Sequence, residues 1–171
     1  PPVWSPGLVA YSARRDGRED IYVAQPDGSG ERAITQDDTP DRYPAWSPRG
    51  DQLAFARRYP EGWDIAIVEM SGPDAAPVRV TGRGVYVGHL AWSPDGAHLA
   101  FDTTFDGEDA DIAVLDLNSK ELTRVTERLG ADLVPAWSLD GARLAFAAES
   151  PDEGGWDVWE VVLETGELRR L

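Results

Sequence analysis

The sequence predicts an all-β fold, a β-propeller of four-stranded antiparallel blades, with four blades in the 171-residue chain. Three observations predict it. A Trp-Ser dipeptide recurs four times, Gly or Pro interrupts the chain every few residues, and no segment carries a sustained helical period of apolar residues. Four-stranded meanders that repeat every 40 to 50 residues or so are typical of propellers, in which each blade covers the apolar face of its neighbour.

Each repeat is expected to contribute four short strands. The first strand ends at the Trp, and a tight turn with Asp-Gly or Arg-Gly returns the chain into Leu-Ala-Phe, the second strand. A longer polar loop leads to a third strand that begins with Asp-Ile, and a further turn leads to a fourth strand that ends at Thr. We expect a single propeller domain over residues 1–171, with blades at approximately 1–40, 41–86, 87–131 and 132–171.

Two residue types recur at equivalent places in every repeat. The tryptophans are Trp4, Trp46, Trp92 and Trp137. The aspartates that precede the apolar run of the third strand are Asp20, Asp64, Asp111 and Asp157. A ligand site would not need four identical copies, so we expect the tryptophans to pack between blades and the aspartates to accept backbone hydrogen bonds where that strand starts.

Composition excludes several classes of partner. Sixteen basic and thirty-one acidic side chains leave a formal net charge of −15, which opposes binding to nucleic acid or to an anionic membrane surface. The absence of cysteine removes disulfides and thiolate metal sites. No apolar stretch approaches the roughly 20 residues that span a bilayer. We expect no nucleic-acid partner, no membrane insertion and no cofactor.

Little in the sequence indicates catalysis. The two histidines, His89 and His98, fall in different parts of their repeat, and the chain has no zinc-binding His-Glu-x-x-His, no nucleophile elbow and no phosphate-binding loop. The oxygen-rich stretch 106–111 could hold Ca²⁺, but it lacks the spacing of a calcium-binding loop and is better explained as an acidic surface loop. The prediction is a protein that is not an enzyme, with no catalytic residues and no metal ligands.

The linkers before the innermost strands hold the candidate binding residues, because they surround the mouth of the predicted channel. Aromatic faces with a few charges around a concavity suit a peptide or a small polar ligand. We call this set the linker rim: Asp41, Arg42, Tyr43, Tyr86, His89 and Asp132. The alternative is that the tyrosines simply plug the channel.

The loops between the second and third strands share that end of the blades and differ in charge. The first two blades place basic residues there, among them Arg57, whereas the last two place only acids, among them Asp102. Such a field would steer a charged partner, although solvated loops without a partner also explain it.

The motifs Pro-Ala-Trp-Ser-Pro-Asp-Gly, Leu-Ala-Phe, Asp-Ile and Leu-Thr resemble the WD-like propeller repeats of the TolB family. The resemblance implies a non-catalytic, protein- or peptide-binding scaffold of the bacterial envelope, periplasmic or extracellular. It also leaves open a substrate-gating propeller of a larger hydrolase or peptidase, because similar repeats occur there, and a self-assembling structural module. The chain departs from TolB in having four repeats instead of six and in showing no separate α/β domain.

Closure of the ring has three open alternatives. Four blades could close alone, which is the lower limit for propellers. Two chains could join head to tail into an eight-bladed ring, so that the partner is a second copy. The chain could also be part of a longer protein with further repeats.

Overall fold

The computed structural model describes residues 3–5, 7–72, 75–82, 84, 86–105, 109–151 and 154–171, and for residues 3–5 it describes the backbone alone. These residues form sixteen β-strands and contain no helix. The prediction of an all-β chain is therefore confirmed. Within the same ranges, no helix is long and apolar enough to cross a membrane.

The strands form four antiparallel sheets, each with four strands in consecutive order. Sheet 1 contains β1 (Val3–Ser5), β2 (Leu8–Arg15), β3 (Arg18–Ala24) and β4 (Arg32–Ala33). Sheet 2 contains β5 (Asp41–Trp46), β6 (Gln52–Tyr59), β7 (Gly62–Glu69) and β8 (Val78–Arg79). Sheet 3 contains β9 (Leu90–Trp92), β10 (His98–Thr104), β11 (Ala110–Asp116) and β12 (Leu122–Arg124). Sheet 4 contains β13 (Asp132–Trp137), β14 (Arg143–Ser150), β15 (Gly155–Val162) and β16 (Leu168–Arg170).

The chain divides into two compact units, each with two sheets. The N-terminal unit, Pro1–Val85, contains sheets 1 and 2, and the C-terminal unit, Tyr86–Leu171, contains sheets 3 and 4. In every sheet the turns that join the first to the second strand and the third to the fourth lie at one end, because consecutive strands are antiparallel. We call this end the turn face of a unit. The linkers and the loops between the second and third strands lie at the other end.

The tight turns between the first two strands follow from their residues. Gly96 has φ of 74°, a conformation that side chains disfavour, and its N–H donates to the Ser93 carbonyl at 2.9 Å. The Asp95 carboxylate accepts from Ser93 Oγ at 2.5 Å and from the Ala97 N–H at 2.9 Å. The sequence therefore specifies this turn locally, without help from distant residues.

Each unit has an apolar core between the facing sides of its two sheets. In the N-terminal unit, Ile21 and Val23 of sheet 1 pack with Leu53 and Phe55 of sheet 2, and all four are at most 1% exposed. In the C-terminal unit, the core contains Ala100, Ile112, Leu144, Phe146, Ala148 and Val161. Residues two apart along a strand share one face of a sheet, which explains why each strand gives alternate residues to this core.

The repeated tryptophans differ in burial. Trp46 and Trp92 are buried, with 9% and 8% exposure, whereas Trp137 is only half-buried. The indole N–H of Trp137 donates to the Ala91 carbonyl in β9 at 3.0 Å, so this side chain reaches from sheet 4 to sheet 3. The side chain of Trp4 lies outside the described residues.

The repeated aspartates stand near the start of the third strands. The backbone N–H of Gly84 lies 3.4 Å from Asp64. Among the described residues, however, the donors to Asp20, Asp111 and Asp157 are side chains, such as those of Thr35, Arg124 and Arg170, and not the backbone groups that we expected. Asp20, Asp64 and Asp111 are at most 3% exposed. Thr81 donates its hydroxyl to Asp64 at 2.8 Å and accepts from the Ile65 N–H at 2.9 Å, so the threonine that ends the repeat connects the aspartate to the strand backbone. Asp157 is more exposed and is paired with Arg170 at 2.8 Å.

Candidate binding surfaces

In the N-terminal unit, Asp41 lies inside the protein. Its carboxylate is fully buried and accepts two hydrogen bonds from Arg57, at 2.8 Å from Nε and 2.7 Å from Nη2. Asp37, at the surface, is a second acceptor for Arg57 at 3.0 Å. Burial raises the pKa of Asp41, and the guanidinium of Arg57 opposes that rise. Asp41 thus fixes the start of β5 and is not placed to contact a ligand directly.

The placement of Arg57 in an exposed loop was wrong. The second strand of this sheet continues to Tyr59, so that Arg57 lies within β6 and its side chain is only 10% exposed. The strand is longer than the apolar pattern predicted. A charged side chain can lie within a buried part of a strand when it has a partner of opposite charge, and Asp41 is that partner for Arg57.

Arg42 and Tyr43 are more accessible. Arg42 donates to Glu19 at 2.7 Å from Nε, and its guanidinium lies 5.0 Å from the ring centre of the half-buried Trp63. Tyr43 is half-buried and has φ of 53°, within a register shift of β5 between Arg42 and Ala45. Such a bulge bends the strand and changes the direction of its side chains. This part of the linker rim therefore combines one aromatic ring with one anchored cation.

In the C-terminal unit, three partly exposed side chains surround a buried carboxylate. Tyr86 is 40% exposed, Val134 is 49% exposed, and the side chain of His89 is 31% exposed. Beneath them, Asp102 is fully buried, and its Oδ1 accepts from the His89 N–H at 3.0 Å and from the Val134 N–H at 3.1 Å. The His89 ring nitrogen Nδ1 lies 3.2 Å from the same oxygen. We call Tyr86, His89 and Val134 the Tyr86–His89 patch.

The placement of Asp102 among exposed loop acids was also wrong, because the residue lies within β10. The sequence did carry a signal for it. The residue after the aromatic of the second strand is small in the other repeats, at Ser12, Ala56 and Ala147, and is an aspartate only here. Its Oδ2 is buried and has no hydrogen-bond partner in the described part of the chain.

Gly88 makes room for this carboxylate. A β-carbon at Gly88 would lie 1.6 Å from Asp102 Oδ2, so no other residue fits there without displacing the aspartate. The Gly88 N–H donates to the Asp102 carbonyl at 2.8 Å. Sequence reasoning missed both Asp102 and Val134 as parts of this surface.

Asp132 resembles Asp41 in being fully buried beside an arginine. Arg128 donates to Asp132 Oδ1 at 2.9 Å, and its guanidinium lies 4.3 Å from the ring centre of Trp159. Burial raises the pKa of Asp132, and the hydrogen bond from Thr126 and the positive charge of Arg128 oppose that rise. Asp132 therefore supports the linker from inside.

The described residues contain no group of three or more His, Cys, Asp or Glu side chains placed to hold a metal ion. Residues 106–108 of the acidic stretch considered for calcium lie outside the description. Asp109, which is described, accepts a hydrogen bond from the Gly130 N–H at 3.2 Å.

The chain is similar in sequence to a TolB homolog and in fold to several propellers. No family profile matches it. It is 29% identical to the "Protein TolB homolog" of Chlorobium luteolum over 161 residues, which cover 94% of this chain and 35% of that protein. The structure of a putative TolB from Agrobacterium tumefaciens superimposes with a TM-score of 0.82 at 20% identity, over 96% of this chain and 60% of that one. These similarities support a TolB-like propeller family.

A second solved structure connects the four sheets of this chain to propeller blades. The β-propeller domain of the Trilobed protease from Pyrococcus furiosus has a TM-score of 0.65 at 18% identity, over 99% of this chain and 55% of that one. Each sheet of this chain thus fits a four-stranded blade. The chain spans about a third of the length of the TolB homolog that it matches in sequence.

Proposed function

We propose that this chain is a non-catalytic scaffold that binds a protein or peptide through the linker rim, and that the Tyr86–His89 patch is its main contact surface. The observation that carries the proposal is the arrangement of Tyr86, His89 and Val134 over the buried carboxylate of Asp102. The similarity to a TolB homolog supports a protein-binding scaffold. The geometry supports the proposed site, and the resemblance supports the proposed protein partner and the proposed location in the bacterial envelope.

The patch has the physical properties of a contact surface. Tyrosine and histidine offer a large flat area and lose little rotational entropy when a partner immobilises them. The hydrogen bonds to Asp102 hold the backbone of both His89 and Val134, which are far apart in sequence. The surface is therefore organised before a partner arrives, and this lowers the entropy cost of binding.

The buried ion pairs have a supporting role in this proposal. Asp41 with Arg57, and Asp132 with Arg128, fix the two linkers from inside. Arg42 and Tyr43 remain as contact residues of the N-terminal unit. The alternative of a substrate-gating propeller is consistent with the fold shared with the protease domain, and no described residue favours it over a binding scaffold.

A photo-crosslinking experiment tests the proposal. A photoreactive phenylalanine analogue is placed at Tyr86 and, as a control, at Val78, which is 64% exposed on β8. After irradiation in cells that express the protein, crosslinked proteins are identified by mass spectrometry. The partner is then purified, and its affinity is measured for the wild type and for the double variant Tyr86→Ala, His89→Ala.

The expected result is a partner that crosslinks from Tyr86 and not from Val78. The double variant should bind it at least about tenfold more weakly, as expected for two contact residues near the centre of an interface. The proposal fails if the two positions crosslink the same proteins, or if the purified partner binds the double variant as tightly as the wild type.

Self-association into a two-chain ring is a second candidate, and an exposed sheet face favours it. Val158 in β15 is 53% exposed, whereas Ile21 and Ile112, which follow the repeated aspartate in sheets 1 and 3, are fully buried. Trp156 on the same face is 54% exposed. Soluble proteins seldom leave such neighbouring apolar side chains in water, so a sheet from a second copy is proposed to pack here.

A further inference from the structure

A groove on the turn face of the C-terminal unit is separate from the linker rim. It lies between sheets 3 and 4 and has a volume of about 790 Å³. This volume falls within the range of roughly 300–1,000 Å³ that is typical of sites for small ligands or short peptides. Its apolar lining includes Val114, Trp137, Val161 and Leu163. Because turns and linkers occupy opposite ends of a sheet, this groove and the Tyr86–His89 patch are on different faces of the unit.

The equivalent edge of the N-terminal unit carries apolar side chains. Leu8 and Met70 pack against the core there, beside the buried Trp46. The residue at the position of Leu8, the first of the second strand, is His98 in the C-terminal unit. Its ring is polar and lies between the carboxylates of Asp95 and Asp116, at N–O distances of 3.9 and 3.6 Å. The two units share a register, yet at this edge one has a leucine and the other a histidine.

Two side chains in the groove are unusually exposed for apolar residues. Trp137 is half-buried, whereas Trp46 and Trp92 at the same repeat position are buried. Leu139 is 98% exposed and stands where Pro48 and Pro94 occupy the other turns. Both residues line the groove, so they give it an apolar wall and an apolar edge.

The rim of the groove is negatively charged. Asp95, Asp116, Glu121 and Asp140 line it, and Arg124 is the arginine among the lining residues. Arg124 is already paired with Asp111 at 2.7 Å and with Glu127 at 3.1 Å. Hydrogen bonds within the turns hold the pKa of Asp95, Asp116 and Asp140 below the usual range, so these carboxylates carry full charge at neutral pH.

We propose that this groove binds an extended, cationic segment of a partner protein, with a large apolar side chain of that segment against Trp137 and Leu163. Lysine or arginine residues on either side of the apolar residue pair with Asp95, Asp116 and Asp140. The apolar wall supplies affinity, and the carboxylates select the charge and align the segment along the groove. An anionic segment is rejected, because it would bring like charges to the rim.

Synthetic peptides test the proposal directly. Three blocked heptapeptides are used: one that alternates leucine with lysine, one with glutamate in place of lysine, and one with serine in place of leucine. Binding to the full chain is measured by calorimetry, and the site is located by NMR from shifts of the Trp137 indole N–H and the backbone amides of Val114 and Leu163. Only the leucine–lysine peptide should bind and shift these signals.

Two sets of variants sharpen the test. His98→Leu introduces the residue that stands at this position in the other unit, and it should abolish binding of the leucine–lysine peptide while the protein stays folded. The double variant Asp95→Asn, Asp140→Asn should bind the peptide roughly three- to tenfold more weakly, as expected for two exposed ion pairs. A matched control, Asp27→Asn with Asp51→Asn, removes the same charge from turns of the N-terminal unit and should leave the affinity within about twofold.

Three results would overturn the proposal. The serine–lysine peptide could bind as tightly as the leucine–lysine peptide, which would mean that charge alone attracts it. The two aspartate pairs could weaken binding equally, or the shifts could appear outside the groove. Each of these results would leave the linker-rim proposal intact, since that one depends on Tyr86 and His89 at the other end of the sheets.

Discussion

Replacing Arg57 by methionine should destabilise the chain strongly, because it leaves a buried carboxylate without its partner. Asp41 is fully buried and receives two hydrogen bonds from Arg57, whose side chain is 10% exposed. Removing one member of such a buried pair costs roughly 3–5 kcal/mol of unfolding free energy. We expect about 3 kcal/mol for Arg57→Met, the lower end, since the carboxyl group can take up a proton. For a chain of this length, that cost lowers Tm by roughly 6–12 °C.

The loss should depend on pH in a defined direction. Burial already raises the pKa of Asp41 in the wild type, and without the opposing guanidinium this pKa rises further. When a carboxyl group has a higher pKa in the folded state than in the unfolded state, the folded protein loses stability as the pH rises through the folded-state pKa. The difference in stability between wild type and Arg57→Met should therefore be largest near neutral pH and smaller near pH 4.

Urea unfolding at several pH values measures this loss, and amide exchange at Ile21 and Phe55 reports on the N-terminal unit itself. Adding Asp41→Asn to Arg57→Met should recover about 1 kcal/mol or more, since no buried charge then remains. The matched control is Arg49→Met, whose partner Asp51 is 2.9 Å away with both side chains exposed, and its effect should stay below about 1 kcal/mol. A cost for Arg57→Met that is as small as the control's, or one that is unchanged between pH 4 and 7, would refute the reasoning.

Three further predictions concern separate parts of the chain. Hydrogen bonds from Arg15 and Tyr11 lower the pKa of Glu31 to about 2, so its NMR titration should have a midpoint near that value, and the stability that it adds should be lost as pH falls from about 4.5 towards 2. Glu31→Gln should remove this acid sensitivity. Phe146→Ala should cost roughly 3–5 kcal/mol in thermal or urea unfolding, because Phe146 is 2% exposed in the core of the C-terminal unit. Light scattering should give twice 18.7 kDa if a second copy covers Val158, and 18.7 kDa would count against the two-chain ring.

The strand order of this chain could be predicted from sequence because its signals are local. Asp-Gly turns depend on a positive φ at the glycine and on the preceding carboxylate, which accepts from groups two residues away on either side, as Asp95 does from Ser93 and Ala97. Alternation along a strand decides which residues face a core, as for Leu53 and Phe55. These properties repeat four times, so each copy supports the assignment of the others.

The candidate site was only partly predictable. The sequence singled out Tyr86 and His89, whose side chains are partly exposed, together with Asp41 and Asp132, which are fully buried. An aspartate in a linker is predicted to lie at the surface. The sequence does not show which arginine pairs with it or that the pair is buried. Burial of these charges depends on partners that only the folded chain supplies.

Local sequence patterns alone predict the four antiparallel sheets, their turns and the residues that face each core. Which charges are buried and which apolar residues remain in water depends on the folded chain. Asp102 is buried and accepts a hydrogen bond from Val134, thirty-two residues later in the chain, and Trp137 is half-buried although Trp46 at the same repeat position is buried. Local patterns specify local geometry. Burial depends on contacts between residues that are distant in the chain, and a short stretch of sequence does not specify those contacts.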